Sequence, residues 1–495
     1  MMPTIRGFSV MPLLPVSFCL MAGIAVGHWW QPDFPLLPLL VATLIVAFAC
    51  HRRALLQTLV IAVCCVILGM ALSQRQPDDG VSVAGQELSA VVLSEPAERP
   101  KTIGVDVLAF GCGQDGCSIP SFRNGRILRC YIAKDERSRT LGLGDEIVLT
   151  VRPPRGNSHT QPSRPHGRAG SASFFFVGSR DWHPGGTALS QLSRWQRLRL
   201  WFLCKRHVLL QKYHEMNAAK EEYAVLAAMT LGDKSGQMKE LRDTYSVSGA
   251  SHILAISGLH VGIVYMLLTW FMLGRRRSWL LQVVLVAAIW AFALLTGLSA
   301  SVTRAATMIS VYAVFSGRGG RASGLNILCF AAIVMLVADA GTLFDVSFQL
   351  SFAAVFAILL FMPLLQSLCQ PQNRVLRWVW NIMLVSTCAQ MGTAPLVAYY
   401  FGRLPVYFLL TNLFVIPAAT VILFGSLLSL VFPLAGVALL WVVRLMNGLL
   451  RLIASLPGAS IDGLRPTPLQ VALTYVLFLL CYGILRLWPR HRRSV

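Results

Sequence analysis

Two histidines and a serine lie close together at the start of an apolar stretch: His252, Ser257 and His260. On a helix, the spacing of three residues between Ser257 and His260 would place both side chains on one face. An imidazole beside a hydroxyl can activate that hydroxyl as a nucleophile. The same side chains could instead line a wet path, because polar groups at membrane depth usually face a bundle interior or an aqueous cavity.

Gly258 and Gly262 are interleaved with this pair. Their small-xxx-small spacing is typical of membrane helices that pack closely, with serine and histidine hydrogen-bonding to a neighbouring helix. Close packing explains the two glycines well and the two histidines poorly. The stretch is therefore a candidate for function as well as for packing.

The chain that carries these residues is unusually apolar: 55% of its 495 residues are hydrophobic and only 13% are charged. Soluble domains carry about 25% charged residues, and many apolar runs here approach the roughly 20 residues that a membrane helix needs. We therefore predict an α-helical polytopic membrane protein with about 10–12 transmembrane helices. The predicted spans are 10–30, 34–50, 55–73, 253–273, 279–297, 302–316, 325–341, 346–366, 379–400, 407–431, 434–453 and 468–487.

Residues 78–187 form a polar region after the third predicted helix. Short alternating segments recur at 88–93, 103–110, 126–132 and 145–152, separated by Gly, Pro, Asn and Asp. This pattern predicts a small all-β domain, either OB-like or a small sandwich.

Basic residues predict the orientation of the chain in the membrane. Arg52 and Arg53 separate the second and third spans, and basic loops are usually cytoplasmic. Alternation then puts both termini in the cytoplasm, across the membrane from the β domain. The predicted organisation is a three-helix segment at 1–77, the β domain at 78–187, a basic helical linker at 188–222, a helical bundle at 223–488 and a basic tail at 489–495.

The net charge of +21 is unevenly distributed. Residues 149–215 hold 11 Lys and Arg against 2 Asp and Glu, although the predicted orientation places them outside the cytoplasm. An amphipathic helix predicted at 189–213 could lie on anionic lipid headgroups or guide a nucleic acid strand. The DNA-guiding candidates are Arg194, Arg197, Arg199, Lys205 and Arg206.

Most of the 12 cysteines lie in apolar runs, where cysteine behaves as a small hydrophobic residue. Cys112, Cys117 and Cys130 lie in the polar region, and outside the cytoplasm a disulfide could join two of them. The sequence does not say which two. No metal site is expected, because Cys112 and Cys117 lack other ligand types nearby.

The sequence around the serine and histidines also carries a family resemblance. Residues His252 to Val261 read His-Ile-Leu-Ala-Ile-Ser-Gly-Leu-His-Val and follow a Leu-Gly-Asp element that ends at Asp233. Ser299–Ala305 is similar to a small-residue Ser-Ala-x-Arg-Ala element, and Phe348–Phe352 reads Phe-Gln-Leu-Ser-Phe. With these elements the chain resembles the ComEC competence family of DNA-uptake channels, over nearly its whole length.

The resemblance implies an inner-membrane channel that passes single-stranded transforming DNA into the cytoplasm. Phosphates would favour a fixed positive charge in the path, which gives Arg304 a reason to lie in a span; a pairing with Asp345 or Asp339 is equally open. Gln349 and Ser351 could line the path or join helices by hydrogen bonds. The predicted channel-lining or gating residues are Asp233, His252, Ser257, Gly258, His260, Gly262, Arg304, Gln349 and Ser351.

The expected partners follow from the same resemblance. Longer family members add a metallo-β-lactamase-like domain, whereas this sequence contains no His-x-His-x-Asp-His cluster and is expected to be a short form. It also contains no Gly-x-x-x-x-Gly-Lys-Ser/Thr loop for ATP. We expect single-stranded DNA and membrane lipids as partners, with a separate nuclease and a cytoplasmic motor or strand-binding protein. No catalytic residue or cofactor is expected on this chain, and its oligomeric state stays open.

Two other classes of protein compete with the channel. In an intramembrane serine hydrolase Ser257 would be the nucleophile, but Ala255 stands where the Gly-x-Ser-Gly pattern has glycine, and two residues on one helix align poorly for attack. In a secondary transporter of a small solute an internal repeat would be expected, and the sequence shows none.

Overall fold

The computed structural model describes residues 12–30, 35–74, 87–98, 101–111, 125–150, 174–216, 218–233, 235–236, 238–271, 279–317, 323–429 and 432–487. Cys112 and Cys117 lie outside these residues, so the predicted disulfide stays a prediction. Cys130 is a free thiol, fully buried in the β domain.

The chain is an α-helical polytopic membrane protein with a separate curled β-sheet domain. Among the described residues, seven helices are long and apolar enough to cross a membrane. They are α1 (Leu13–Trp30), α3 (Ala54–Gln74), α12 (Val346–Leu368), α13 (Arg374–Phe401), α14 (Phe408–Ser429), α15 (Pro433–Ala454) and α16 (Pro468–Leu487). Five shorter apolar helices accompany them: α2 (Leu36–Ala49), α8 (Gly258–Phe271), α9 (Trp279–Leu295), α10 (Ala300–Gly317) and α11 (Gly324–Ala338).

Helices α1 and α3 pack closely because glycines remove side chains at their crossing. A Cβ atom added to Gly23 would lie 2.1 Å from the backbone oxygen of Val66. Without side-chain bulk the two backbones approach within van der Waals distance, which is the usual basis of helix association in lipid. Leu20 and Ile24 of the same α1 face also pack against α11 and α12, which ties the N-terminal helices to the bundle.

The β domain is a single curled sheet. Its strands are β1 (Glu87–Val92), β2 (Ala97–Glu98), β3 (Thr102–Gly111), β4 (Arg126–Ala133), β5 (Glu146–Thr150), β6 (Phe174–Val177) and β7 (Trp182–Pro184). Hydrogen bonding runs in the order β6-β4-β3-β1-β5-β7, with β2 paired to β3. All pairs are antiparallel except β4 with β6. The edge strands β6 and β7 are separated by a turn of four residues, so the two edges lie close together and the sheet curls.

Alternating residues explain why these strands form a domain. Every second residue of β3 from Ile103 to Ala109 is buried, and these side chains join Leu88, Leu128 and Ile147 of the neighbouring strands in one apolar core. This two-residue period is the pattern that a sheet with one buried face requires. The four strands predicted from the alternation are confirmed to within about two residues.

Between the β domain and α8 the chain forms four further helices. The short α4 (Ala188–Gln191) precedes the long basic α5 (Arg194–Glu215), which begins at Ser193 with a capping box. Next come α6 (Lys220–Thr230) and α7 (Lys239–Ser248), neither of which was predicted from the sequence. Residues 224–230 of α6 are all buried, because α6 is enclosed by α5, α14 and α15 in the largest apolar core.

One predicted span begins later than expected. The sequence predicts helix from residue 253, but residues 250–257 form turns and irregular backbone, and α8 starts at Gly258. Gly249 ends α7 with its backbone in the left-handed region, at φ 86°. A Cβ atom added to Gly249 would lie 3.0 Å from the Cβ of Pro405, so a side chain has little room there. The stretch that contains His252 and Ser257 is therefore a loop between two helices.

Candidate functional site

Ser257 and His260 together form the start of α8. The carbonyl of Ser257 accepts the first helical bond from the amide of Val261, so Ser257 is the N-cap residue and His260 is the third residue of the helix. The backbone amide and the hydroxyl of Ser257 lie 3.2 and 3.0 Å from Nδ1 of His260. This corrects the expectation of two side chains on one helical face: the pair is a cap in which a histidine occupies the place that Glu or Gln usually takes.

The hydrogen bonds of the cap define the tautomer of His260. Because the amide of Ser257 can only donate, Nδ1 must be an unprotonated acceptor, and the neutral ring carries its proton on Nε2. His260 is fully buried, and its Nε2 has no hydrogen-bond partner among the described residues. Ser257 and His260 are close enough for a nucleophile and its base, but no described carboxylate or carbonyl orients the ring from Nε2, as a hydrolytic triad requires.

Gly258 and Gly262, the first and fifth residues of α8, have different surroundings. A Cβ atom added to Gly258 would lie 3.8 Å from the Cβ of Ala305 on α10, which is ordinary contact. An added Cβ at Gly262, one turn further along, would meet nothing within 4 Å. The prediction that both glycines lie at a close helix contact is therefore wrong for Gly262. Helices α8 and α10 meet at Gly258, the space beside Gly262 is open, and further along the rings of Tyr265 and Tyr312 lie 6.4 Å apart.

Arg304 is the most unusual polar residue in the bundle. Its side chain lies in the first turns of α10 with 2% of its surface exposed. Its Nη2 donates to the hydroxyl of Ser347 at 2.8 Å, whereas Nε and Nη1 have no partner in the described part of the chain. The pairing with Asp339 or Asp345 is not found: each carboxylate caps the helical turn that follows it. Burying a guanidinium whose N–H groups have no partner costs roughly several kcal/mol, unless an anion or a water molecule accepts from those N–H groups.

Three helix N-termini converge around Arg304. The contact between Gly258 and Ala305 joins the first turns of α8 and α10, and the bond from Arg304 to Ser347 joins the first turns of α10 and α12. Each N-terminus carries about half a positive charge from unpaired backbone N–H groups. The Asp345 carboxylate, which caps α12 and interacts electrostatically with Arg304, offsets part of this positive charge, whereas Nε and Nη1 of Arg304 still have no hydrogen-bond partner among the described residues.

The Leu-Gly-Asp element connects the bundle to the basic helix. Asp233 accepts from the hydroxyl of Ser235 at 2.6 Å and pairs with Arg206 of α5 at 3.4 Å. Arg206 also approaches Gly297, just before α10, where an added Cβ would lie 3.1 Å from its Nη1. Arg206, Asp233 and Ser235 border a cavity of about 400 Å³ between the β domain, α5 and the Asp233 turn. Its charged lining residues are Glu95, Asp106, Arg129, Arg206, His207 and Asp233.

The other predicted site residues are scattered around this region. His252 is exposed in the loop before Ser257. Gln349 joins helices, since its amide donates to the carbonyl of Leu343 at 3.0 Å and its oxygen accepts from Tyr400 at 2.7 Å. Ser351 is half-buried one turn beyond Ser347 on α12. The basic residues of α5 divide: Arg194, Arg197 and Lys205 are exposed, and Arg199 and Arg206 are half-buried.

Sequence reasoning missed the polar residues that attach α6 and α7 to α15. Glu222 pairs with Arg444, and Glu221 pairs with Arg451. Tyr245 of α7 donates to the side-chain oxygen of Asn447 at 2.6 Å. A signal was present, because residues 444, 447 and 451 recur at helical spacing along one apolar span, and charges at such positions need partners.

Comparisons with known proteins agree with the signature around Ser257. A family model described as competence protein matches residues 229–489. The chain is 30% identical over 267 residues to ComE operon protein 3 of Bacillus subtilis (strain 168), covering 52% of this chain. It is 28% identical over 145 residues to competence protein ComA of Neisseria gonorrhoeae, covering 27% of this chain. No solved structure matches the chain.

The alignments span only part of these relatives: 33% of the Bacillus protein and 21% of the Neisseria protein. An uncharacterized protein of Escherichia coli (strain K12), YcaI, is 26% identical over 226 residues, which cover 43% of this chain and 29% of that protein. The family match covers just over half of this chain and includes α8, α10 and α12. The chain therefore belongs to the competence protein family, the ComEC family that its Ser257 and His260 region resembles.

Proposed function

We propose that the chain forms an inner-membrane passage through which single-stranded DNA enters the cytoplasm during competence. The observation that carries this proposal is Arg304, a buried cation with two nitrogens free of partners at the meeting point of three helix N-termini. A phosphodiester is the anion that DNA would present there, and its oxygens can accept from both free nitrogens. We further propose that the open space beside Gly262, one turn beyond Gly258 on α8, belongs to the same path.

The remaining parts of the proposal follow from the topology and the sequence. The β domain lies outside the membrane and both chain ends are cytoplasmic, in agreement with Arg52 and Arg53 between α2 and α3. The strand passes the cavity at Asp233 and Arg206 before it reaches Arg304. We further propose that a separate nuclease and a cytoplasmic motor or strand-binding protein act with the chain.

The test uses a transformable strain that lacks this gene, complemented with single variants. Arg304→Met keeps the length of the side chain and removes its charge, so it should fold at least as well, since replacing a buried charge by an apolar group is often neutral or stabilising. We expect internalised, nuclease-resistant DNA to fall at least tenfold while DNA bound at the cell surface is unchanged. Arg304→Lys should recover part of the loss.

Two controls make the result interpretable. Arg486→Met removes an exposed arginine at the end of α16 and should leave internalisation unchanged. Immunoblots of membranes should show equal amounts of each variant. Equal transformation in the deletion strain and the parent would refute the proposal, and so would normal internalisation in Arg304→Met.

A further inference from the structure

Helix α5 has two sides of different character. Its inward side buries Leu203, Leu210 and Tyr213 and directs Arg206 to Asp233. Leu203 packs with Val91 of the β domain, whereas Leu210 joins the core of α6, α14 and α15. The helix therefore bridges the β domain and the helical bundle.

The outward side of α5 combines large apolar and basic side chains. Trp195 and Trp201 are 53% and 54% exposed. Residues at intervals of three and four continue the same side. Its members are Arg194, Trp195, Arg197, Leu198, Trp201, Lys205, Val208 and Lys212, and all of them are exposed.

The charged residues on this outward side are almost all basic. Four basic residues are present, and the single acidic residue, Glu215, is the last residue of the helix. The ammonium of Lys205 lies 5.5 Å from the ring centre of Trp201, so a cationic group and an aromatic ring occupy one spot. Tryptophan with Lys or Arg is the composition of helices that lie in the membrane interface.

Exposed tryptophans also occur at the end of one membrane helix. Trp29 and Trp30, at the end of α1, are exposed as well. Tryptophan is enriched where membrane helices meet the headgroups. Helix α5 contacts α9, and Arg206 lies close to Gly297 just after the end of α9, so part of α5 lies beside the end of that membrane helix.

We propose that the outward side of α5 is a docking surface for anionic phospholipid headgroups and is not part of the DNA path. Tryptophan and leucine side chains enter the headgroup layer, and Arg194, Arg197, Lys205 and Lys212 pair with lipid phosphates. Docking fixes the height of the β domain above the membrane through Leu203 and Arg206. DNA-guiding roles on α5 are then left to the inward residues Arg199 and Arg206.

The experiment places the photo-crosslinking residue p-benzoylphenylalanine at Trp201 in the full-length protein. The protein is reconstituted in vesicles of phosphatidylcholine mixed with phosphatidylglycerol, with a single-stranded oligonucleotide added outside. A matched probe at Phe176 tests an exposed aromatic position on β6 of the β domain. Adducts are identified by mass spectrometry after illumination.

We expect phospholipid adducts at position 201, with phosphatidylglycerol favoured several-fold over phosphatidylcholine after correction for composition, and no such preference at position 176. Arg194→Glu combined with Lys205→Glu should remove the preference. Arg137→Glu with Arg139→Glu, an equal charge change at exposed positions of the β domain, should leave it intact. Oligonucleotide adducts in place of lipid adducts at 201, equal labelling of both lipids, or no adduct at all would each overturn the proposal.

Discussion

Ser257 holds the ring of His260 from two directions, since its amide and its hydroxyl both lie within 3.2 Å of Nδ1. Both groups can donate to the unprotonated Nδ1. The proton on Nε2 is then the only polar hydrogen of the ring, and it does not point toward Ser257. Ser257 and His260, whose residue types suggested a nucleophile and its base, therefore act first of all as the N-terminal cap of α8. Any functional contact of His260 has to be made through Nε2.

Replacing Ser257 by alanine separates a cap from a nucleophile. The variant loses the hydrogen bond from the hydroxyl to Nδ1 of His260 but keeps the hydrogen bond from the backbone amide, so we expect a loss of stability of about 1 kcal/mol, typical of one hydrogen bond. Internalisation of DNA should fall no more than a few-fold in the transformation assay. Ser257→Thr retains a capping hydroxyl and serves as the control. Complete loss of activity in Ser257→Ala, with the protein folded and present in the membrane, would favour the serine hydrolase.

Burial gives Cys130 an inert thiol. Its apolar surroundings on β4 raise the pKa of the thiol to about 12, from the ordinary value of 9.0. Only the thiolate is nucleophilic, so at pH 8 and under reducing conditions the native protein should leave Cys130 unmodified by iodoacetamide, while exposed Cys369 reacts. Peptide mass spectrometry before and after unfolding checks this. Modification of native Cys130 as rapid as that of Cys369 would contradict it.

The same raised pKa has a consequence for stability. Between pH 9 and about 12 the unfolded thiol loses its proton while the folded thiol keeps it. The contribution of Cys130 is therefore complete below pH 9 and declines as pH rises, by at most about 1.4 kcal/mol per pH unit. Unfolding of the β domain should show this decline when it is followed by the fluorescence of Trp182 in a variant in which the other eleven of the twelve tryptophans are replaced by phenylalanine, and Cys130→Ala should lessen the decline.

The membrane helices and the strands were predictable because each follows from a local period. The alternation from Ile103 to Ala109 and the largely apolar composition of residues 346–366 can be recognised without any tertiary information. The loop at 250–257 was not predictable in this way. Apolar Ile253, Leu254 and Ile256 suggested a span, but they are buried in protein, so their apolarity reports burial and not helix.

The site was predicted as a set of residues and not as an arrangement. Arg304 was recognised as a cation in a span, but its actual partner, Ser347, lies 43 positions away and has no charge to suggest the pairing. Likewise α6 carries the polar pair Glu221 and Glu222 at its start, which obscured its burial. Their partners on α15 are more than 200 positions away, a distance over which local patterns carry no information.

Gly262 offers the sharpest test of a passage between α8 and α10. Leucine at this position should raise stability slightly, because it fills open space and because glycine is about 1 kcal/mol less favourable than good helix formers. If the gap belongs to the path, Gly262→Leu should lower internalisation of DNA at least tenfold in a protein that is no less stable than the parent. Thermal unfolding in detergent and the transformation assay measure the two effects separately.

Gly448 supplies the matched control. An added Cβ there also meets nothing within 4 Å, but Gly448 lies on the exposed side of α15 with Val437 and Trp441. Gly448→Leu makes the same chemical change, with the same gain in helix propensity, at an exposed position outside the proposed path. It should leave internalisation unchanged. Equal effects of the two substitutions, or normal internalisation in Gly262→Leu, would show that the gap beside Gly262 carries no strand, and the passage would then have to run on another side of Arg304.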